Sequence, residues 1–315
     1  MHPMRLVSLL YDSLSFGSLP LGIFSIVLVY KKTPQEQRTF GYYLINLQIW
    51  TLLYDFMAGI AVKPLYRPRD KCVISLGFSR HFSEDYSLDV VVLTMQFLSL
   101  SAASLLSLVA HRYGFHIFST FSQVFIGKRS FFVAYILHIL PSVAILCAFV
   151  FLDFKPVVHE AHFSRFCSRA MKLWTLTSFL LVILAVAAFF FLLMLVATHR
   201  ILHNLETSRG IMRTRTFALN IKTTYALFAL IAAFFVFKLL PIAVWASASW
   251  IHFDLDMPVT VAHLLTIVGS VVQSSLILLL VPPYPSVLSK MWRWTRLRFP
   301  RNKLSYVQST DSIKF

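Results

Sequence analysis

Long blocks of apolar residues, separated by short polar segments, run along almost the whole chain. A helix that crosses the hydrocarbon core of a membrane needs about 20 mainly apolar residues. Blocks of this length exclude a membrane β-barrel, whose strands alternate apolar and polar positions. The pattern predicts seven spans, roughly Leu9–Tyr30, Tyr42–Val62, Leu88–Ala110, Phe131–Phe151, Leu173–Ala197, Thr223–Trp245 and Pro258–Val281. We therefore predict an all-α, polytopic seven-helix membrane bundle over residues 1–285 and a basic, aromatic tail over 286–315.

Composition excludes several classes of protein. Hydrophobic residues make up 57% of the 315 positions and charged residues only 13%, whereas soluble domains carry about 25% charged residues. This excludes a water-soluble enzyme, a disordered chain and a secreted disulfide scaffold. The net charge of +16 comes from basic residues that lie between the apolar blocks. We interpret it as a signal of membrane orientation, with the lipid bilayer and no nucleic acid as partner.

Basic residues are distributed unequally between the two sets of loops. If the N-terminus is outside, 18 Lys and Arg residues lie on the cytoplasmic side and 10 on the outer side. The positive-inside rule then predicts an outer N-terminus and a cytoplasmic tail. The tail segment KMWRWTRLRFPRNK favours a short amphipathic helix on the inner leaflet. A basic flank without a further role is the alternative.

Ionisable residues inside a span are costly and usually functional. We expect Asp55 to be a polar anchor of the bundle, either bonded to hydroxyl groups such as those of Ser99 and Ser104 or in contact with a ligand. Lys238 has three alternatives: it pairs with Asp55, contacts a ligand, or extends to the outer headgroups. Pro241 is expected to kink the same span. The ionisable residues within the predicted spans are Asp55, His138, Lys238 and His263.

The sequence contains no signature of an enzyme or a metal site. No His-x-x-x-His pair lies within a predicted span, and neither a Gly-x-Ser-x-Gly elbow nor a glycine-rich phosphate loop occurs. A transporter more often carries broken half-helices and an acidic proton relay. We predict no enzymatic activity, no metal and no cofactor. A seven-span transporter or channel, and an intramembrane hydrolase, are the rival interpretations.

The three cysteines divide between loops and a span. Cys72 and Cys167 fall in predicted outer loops, where disulfides persist. We expect a disulfide between them, although sequence spacing alone does not establish that their Cα atoms are close enough. Cys147 lies inside the fourth span, where we expect a small packing residue.

Three segments resemble one receptor family. The third span ends in His111-Arg112-Tyr113, and the seventh is followed by Val281-Pro282-Pro283-Tyr284. A longer segment carries a Lys-Thr-Pro turn, an asparagine-containing apolar stretch, an aspartate and two prolines, at Lys32, Thr33, Pro34, Leu44, Asn46, Gln48, Trp50, Asp55, Pro64 and Pro68. Together these features resemble nematode serpentine chemoreceptors of the Str superfamily, classes I and H.

The resemblance implies a receptor in the plasma membrane, including the ciliary membrane of sensory neurons, that signals to a heterotrimeric G protein. It further implies that Arg112 either locks the resting bundle or contacts the G protein, and that Tyr113, Arg213 and Arg215 take part in the coupling. An ordinary basic residue that only sets the membrane orientation is the alternative for Arg112. The family carries an acidic residue before the arginine, whereas this chain has Ala110-His111.

We expect a small odorant or pheromone-like ligand to bind from the outer side, among spans three, five, six and seven. The candidates are polar or aromatic residues near the outer halves of the spans, each of which is more often a packing residue. They are Met95, Gln96, Trp174, Lys238, Trp245 and Gln273.

Overall fold

A computed structural model of this chain describes residues 3–67, 72–82, 84–116, 128–152, 154–160, 163–168, 173–210, 212–248 and 256–298. Within these residues, seven helices are long and apolar enough to cross a membrane. This finding confirms the predicted all-α seven-helix membrane bundle. Each span overlaps its predicted block: they are Arg5–Lys32, Arg38–Val62, Asp89–His116, Ser130–Cys147, Leu184–Thr207, Thr214–Val244 and Val259–Leu280.

Several helices continue beyond the apolar blocks that predicted them. The third extends to His116 and the fifth to Thr207, because hydropathy marks the thickness of the membrane rather than the end of a helix. The sixth span contains both α6 and α7. The helices are α1 (Pro3–Lys32), α2 (Arg38–Phe56), α3 (Glu84–His116), α4 (Lys128–Leu152), α5 (Leu173–Thr207), α6 (Thr214–Phe234), α7 (Leu240–Ala248), α8 (Asp256–Leu280) and α9 (Tyr284–Arg298).

Two spans contain a π-helical turn. One, Met57–Val62, ends the second span, and the other, Phe235–Leu239, joins α6 to α7. The second turn lies directly before Pro241, which has no backbone N–H to donate to the preceding turn. The irregularity expected at this proline therefore takes the form of a π turn, and Lys238 lies within it.

A four-stranded antiparallel sheet lies at one end of the bundle. The sequence analysis did not predict it. Its order is β1-β2-β4-β3, so the loop after span two and the loop between spans four and five form one sheet. We call this end of the bundle the sheet end, and the opposite end, where α9 follows α8, the tail end. The strands are β1 (Pro64–Arg67), β2 (Cys72–Ser75), β3 (Phe154–Glu160) and β4 (Phe163–Ser168).

The largest cluster of buried apolar side chains lies where α1, α2, α3, α6 and α8 meet. Its members include Leu28, Val29, Leu44, Leu47, Leu105, Leu108, Leu227, Ile231 and Ile277. Helix α4, by contrast, packs against α3 and leaves most of its apolar side chains exposed, with Phe132 65% and Leu140 63% accessible. An exposed apolar surface of this kind suits contact with lipid.

Candidate functional site

Asp55 lies in a buried polar network between α2 and α8. Its Oδ1 accepts a hydrogen bond of 2.6 Å from Ser270 Oγ and lies 4.0 Å from Lys238 Nζ. Both side chains of this ion pair are 2% exposed. Buried charges are stable only when they are paired and hydrogen-bonded. Ser99 and Ser104, the partners we expected, bond to other groups.

Lys238 reaches this network from the π turn in the sixth span. Its Nζ donates to Thr266 O at 2.6 Å and to Ser270 Oγ at 2.9 Å. It also lies 4.3 Å from the centre of the Tyr54 ring. The side chain therefore does not extend to the headgroups, and of the three alternatives the structure has the pair with Asp55.

Further polar contacts continue along the interface of α2 and α8 towards the tail end. On α2 the participating residues are three positions apart and lie on one helix face, and on α8 they lie before and after Ser270 along the same interface. Hydrogen bonds between membrane helices contribute about 0.6 kcal/mol each on average. These contacts therefore determine how α8 lies on α2. Its pairs are Tyr54 OH with Thr266 Oγ1 at 2.7 Å, Gln273 Nε2 with Thr51 Oγ1 at 3.0 Å, and Ser274 Oγ with Gln48 Oε1 at 3.0 Å.

His138 belongs to a second polar cluster, which joins α2, α3 and α4. Its Nδ1 lies 2.6 Å from the backbone oxygen of Ala134, so Nδ1 is the protonated nitrogen. Nε2 then accepts from Asn46 Nδ2 at 3.1 Å or Ser104 Oγ at 2.9 Å. Trp50 Nε1 donates to Asn46 Oδ1 at 3.0 Å. This cluster accounts for His138 as a residue of the bundle.

The sheet end closes over the first and seventh spans. Tyr11 OH donates to Pro64 O at 2.9 Å, and Lys63 Nζ lies 2.7 Å from Asp12 Oδ1. Apolar side chains of α1, both strands of the first hairpin and α8 pack together here. They are Val7, Tyr11, Leu65, Ile74, Leu76, Leu264 and Ile267. The space between α1 and α8 at the sheet end is therefore filled by the protein itself.

The predicted ligand residues fall into three groups. Lys238 and Gln273 are buried and both belong to the polar network between α2 and α8. Met95 and Gln96 are half-buried on α3, and no hydrogen bond among the described residues joins their side chains to that network. The side chains of Trp174 and Trp245 lie outside the described part of the chain.

Arg112 lies near the tail end of α3 and is only 6% exposed. Its guanidinium carbon is 5.3 Å from the centre of the Phe40 ring. Its Nε and Nη2 atoms have no hydrogen-bond partner among the described residues. One turn later, His116 is 5% exposed, and its Nε2 likewise has none there. The backbone oxygen of His116 accepts a hydrogen bond from Asn204 of α5.

The other residues predicted to contact a G protein lie at the same end of the bundle as Arg112. Tyr113 is half-buried, directly after Arg112. Arg213 precedes α6 as its N-cap residue, and both Arg213 and Arg215 are exposed. Within the described residues, no hydrogen bond or ion pair joins these side chains. The sequence pattern located all four at one end of the bundle, but it contained no signal that Arg112 is buried.

Cys72 and Cys167 lie directly opposite each other in the sheet, where β2 pairs with β4. Their side chains are outside the described part of the chain. Directly opposed residues of antiparallel strands have Cα atoms about 4.5–5.5 Å apart, within the range of disulfides. The backbone therefore brings the two Cα atoms close enough for a disulfide, which sequence spacing alone did not establish. Cys147 is exposed on α4, so our expectation of a packing residue there is wrong.

The fold is that of a seven-transmembrane helix bundle with a buried polar network and a buried arginine at the end of its third span. A family model described as serpentine type 7TM GPCR chemoreceptor Srh matches residues 4–294. The chain therefore belongs to the Srh family of serpentine chemoreceptors. That is a receptor family and not an enzyme family. The matched residues include all three segments on which the resemblance was based. No curated protein matches the chain.

Proposed function

We propose that this protein is a chemosensory receptor that binds a small odorant or pheromone-like molecule from outside the cell and signals to a heterotrimeric G protein. The observation that carries this proposal is the family match over residues 4–294. The receptor lies in the plasma membrane, including that of sensory cilia, with the N-terminus outside and α9 on the cytoplasmic side. We also propose that the chain belongs to the Str superfamily, in class I or class H, based on the segment from Lys32 to Pro68.

The ligand site in this proposal lies towards the sheet end, among spans three, five, six and seven. The packing around Leu65 and Ile74 supports this location, because it leaves no route between α1 and α8. Lys238 and Gln273 are the polar residues of spans six and seven that a ligand in this region would approach. Met95, Gln96, Trp174 and Trp245 are the further proposed contacts.

Signalling requires a ligand that binds one arrangement of the bundle more tightly than another, because only this difference shifts the population. The pair of Asp55 and Lys238 joins α2, the π turn of span six and α8. Movement of span six relative to α2 would therefore change a buried ion pair. Isolated π turns are frequent at functional sites, and we propose this pair as the element that has two states.

Arg112 is the proposed contact for the G protein at the tail end. A guanidinium is always charged and presents five donors in a rigid fork. Two nitrogen atoms of Arg112 have no partner among the described residues. Because the side chain is buried against Phe40, the bundle must open at the tail end before a partner contacts it. Tyr113, Arg213 and Arg215 are the proposed surrounding contacts.

Substitution of Arg112 tests the coupling role. Cells that express the receptor and a calcium reporter are exposed to an odorant panel, with surface levels measured in parallel. Arg112→Lys keeps the charge but loses the fork, so we expect wild-type surface levels and signalling about tenfold weaker, equal to about 1.4 kcal/mol. Arg38→Lys, at an exposed arginine beside Tyr42, is the matched control and should signal normally. Normal signalling by Arg112→Ala at wild-type surface levels would remove this residue from the mechanism.

Reporters at the two termini test the orientation and the rival classes. One fused after Phe315 should be cytoplasmic, and one at the N-terminus should face outwards, because basic residues are biased 18 to 10 between the two sides. A channel of the insect odorant-receptor type has the opposite orientation. An intramembrane hydrolase would require either a metal or a reactive nucleophile. Metal analysis of the purified protein would detect a metal-dependent hydrolase. A cytoplasmic N-terminus would contradict both the orientation and the receptor proposal.

A further inference from the structure

The guanidinium of Arg112 is a buried cation without a counter-charge among the described residues. The residue is 6% exposed, and the ion pairs between described residues do not include it. Burial of an unpaired ion costs several kcal/mol, and arginine does not lose its proton to avoid that cost. The contact with the Phe40 ring offsets part of this cost. The described residues supply no counter-charge for the guanidinium.

The chain has few acidic residues to supply that partner. On the predicted cytoplasmic side they are Glu36, Glu206 and Asp311. Glu206 is exposed near the end of α5, and the side chains of the other two lie outside the described part of the chain. Residues 117–127, which follow α3, contain no Asp or Glu. The two residues before Arg112, Ala110 and His111, carry no carboxylate either.

His116 supplies a second donor at the same place. It follows Arg112 by four residues, so both side chains lie on one face of α3. Its Nε2 is buried and has no hydrogen-bond partner among the described residues. With its Nε2 nitrogen protonated, the imidazole donates from the same helix face as the guanidinium. An occupant of this face has to accept hydrogen bonds from nitrogen donors and balance the charge of the guanidinium.

We infer that Arg112 and His116 form a binding site for a small inorganic anion of the size of chloride. The anion takes the role of the carboxylate that the described residues do not supply to Arg112. It neutralises the guanidinium while the tail end of the bundle is closed. Release of the anion would accompany the proposed contact between Arg112 and the G protein, and this consequence alone depends on the proposed function.

Thermal unfolding of the purified full-length receptor tests the site. The receptor is kept in a neutral detergent, and chloride is exchanged for gluconate at constant ionic strength. We expect the unfolding midpoint to rise with the logarithm of the chloride concentration once this exceeds the dissociation constant, with a shift of about 3 °C at tenfold excess. Arg112→Gln should abolish this shift. Arg38→Gln, which removes an exposed arginine stacked on Tyr42, should retain it.

His116→Glu provides a second, independent variant. A glutamate four residues after an arginine on one helix face forms an ion pair with that arginine. The carboxylate at position 116 would therefore take the place of the bound anion. We expect this variant to unfold at the same midpoint in chloride and gluconate, and above the native receptor in gluconate. If Arg112→Gln does not fold, this comparison decides the matter: a chloride shift that persists in His116→Glu would overturn the inference.

Three further results would overturn the anion site. The first is an equal midpoint for the native receptor in chloride and gluconate. The second is an undiminished chloride shift in Arg112→Gln. The third is a midpoint that rises with phosphatidylserine in gluconate but not with chloride, which would assign the site to a lipid headgroup. None of these measurements involves a G protein, so the anion site and the proposed signalling function fail separately.

Discussion

Thr33 and Tyr284, 251 positions apart, share a hydrogen bond of 2.8 Å between their hydroxyl groups. Thr33 Oγ1 donates to Val29 O, so Tyr284 is the donor in the bond between them. Burial raises the pKa of Tyr284. The phenol is therefore protonated at neutral pH and able to donate. This bond joins two of the segments on which the family resemblance was based, the Lys-Thr-Pro turn and the Pro-Pro-Tyr segment.

Removal of this hydroxyl should loosen the tail end. Tyr284→Phe leaves a buried acceptor at Thr33 without its donor, so we expect a loss of about 0.5–1.5 kcal/mol in the free energy of unfolding. Thermal unfolding of the purified receptor measures it. Tyr30→Phe is the matched control, because Tyr30 is 66% exposed. Equal midpoints for the two variants would contradict a stabilising role for the bond.

The ion pair of Asp55 and Lys238 should give strongly coupled effects. Asp55→Asn or Lys238→Met alone leaves a buried charge unpaired, at a cost of about 3–5 kcal/mol. The double variant removes both charges and should cost less than the sum of the two single variants. Unfolding midpoints of the four proteins form the double-mutant cycle.

A second ion pair provides the comparison for this cycle. Lys63 and Asp12 lie closer together, at 2.7 Å, but the Asp12 side chain is 39% exposed. Exposed pairs contribute about 0–1 kcal/mol. Because the Lys63 side chain is only 11% exposed, we expect Lys63→Met and Asp12→Asn to have effects above this range but smaller than those at Asp55 and Lys238. If the losses in stability of Asp55→Asn and Lys238→Met were additive in the double variant, and as small as those of Asp12→Asn and Lys63→Met, the charges of Asp55 and Lys238 would not be coupled.

The opposed cysteines of the sheet should be oxidised. Non-reducing peptide mapping should recover one cross-linked pair of Cys72 and Cys167, with Cys147 free. Loss of a disulfide costs about 2–5 kcal/mol in small domains. Here we expect Cys72→Ala to reduce surface expression, because the bridge joins two loops rather than two spans. Labelling of both loop thiols by an alkylating reagent in intact cells would rule the bridge out.

Gly77 lies where the first hairpin meets the end of the second span. A Cβ atom added there would overlap the backbone oxygen of Ala61 and lie 2.7 Å from that of Ile60. Backbone atoms move less easily than side chains, so Gly77→Ala should destabilise the receptor by about 1–3 kcal/mol. Gly17→Ala is the control, since a Cβ there meets nothing within 4 Å. A Gly77→Ala variant as stable as Gly17→Ala would mean that the hairpin shifts at no cost.

The seven spans were predictable because each depends on its own residues. A membrane imposes about 20 apolar residues on every crossing helix, so local composition was sufficient. The sheet was not predictable in the same way. Its central strand pair places Cys72 opposite Cys167, and these residues belong to different loops. The sequence pattern of short polar loops does not predict which strands pair.

The buried polar contacts depended on the tertiary structure. Sequence alone indicated that Asp55 needed partners, and Lys238 was among those considered. That Ser270 bonds to Asp55, in place of Ser99 or Ser104, follows from the packing of α8 against α2 at this level. Arg112 was located at the end of a span, but its burial against Phe40 was not predicted. Hydropathy reports the transfer free energy of each residue, whereas the partner of a buried group depends on how each helix is rotated, and contacts across the whole chain determine that rotation.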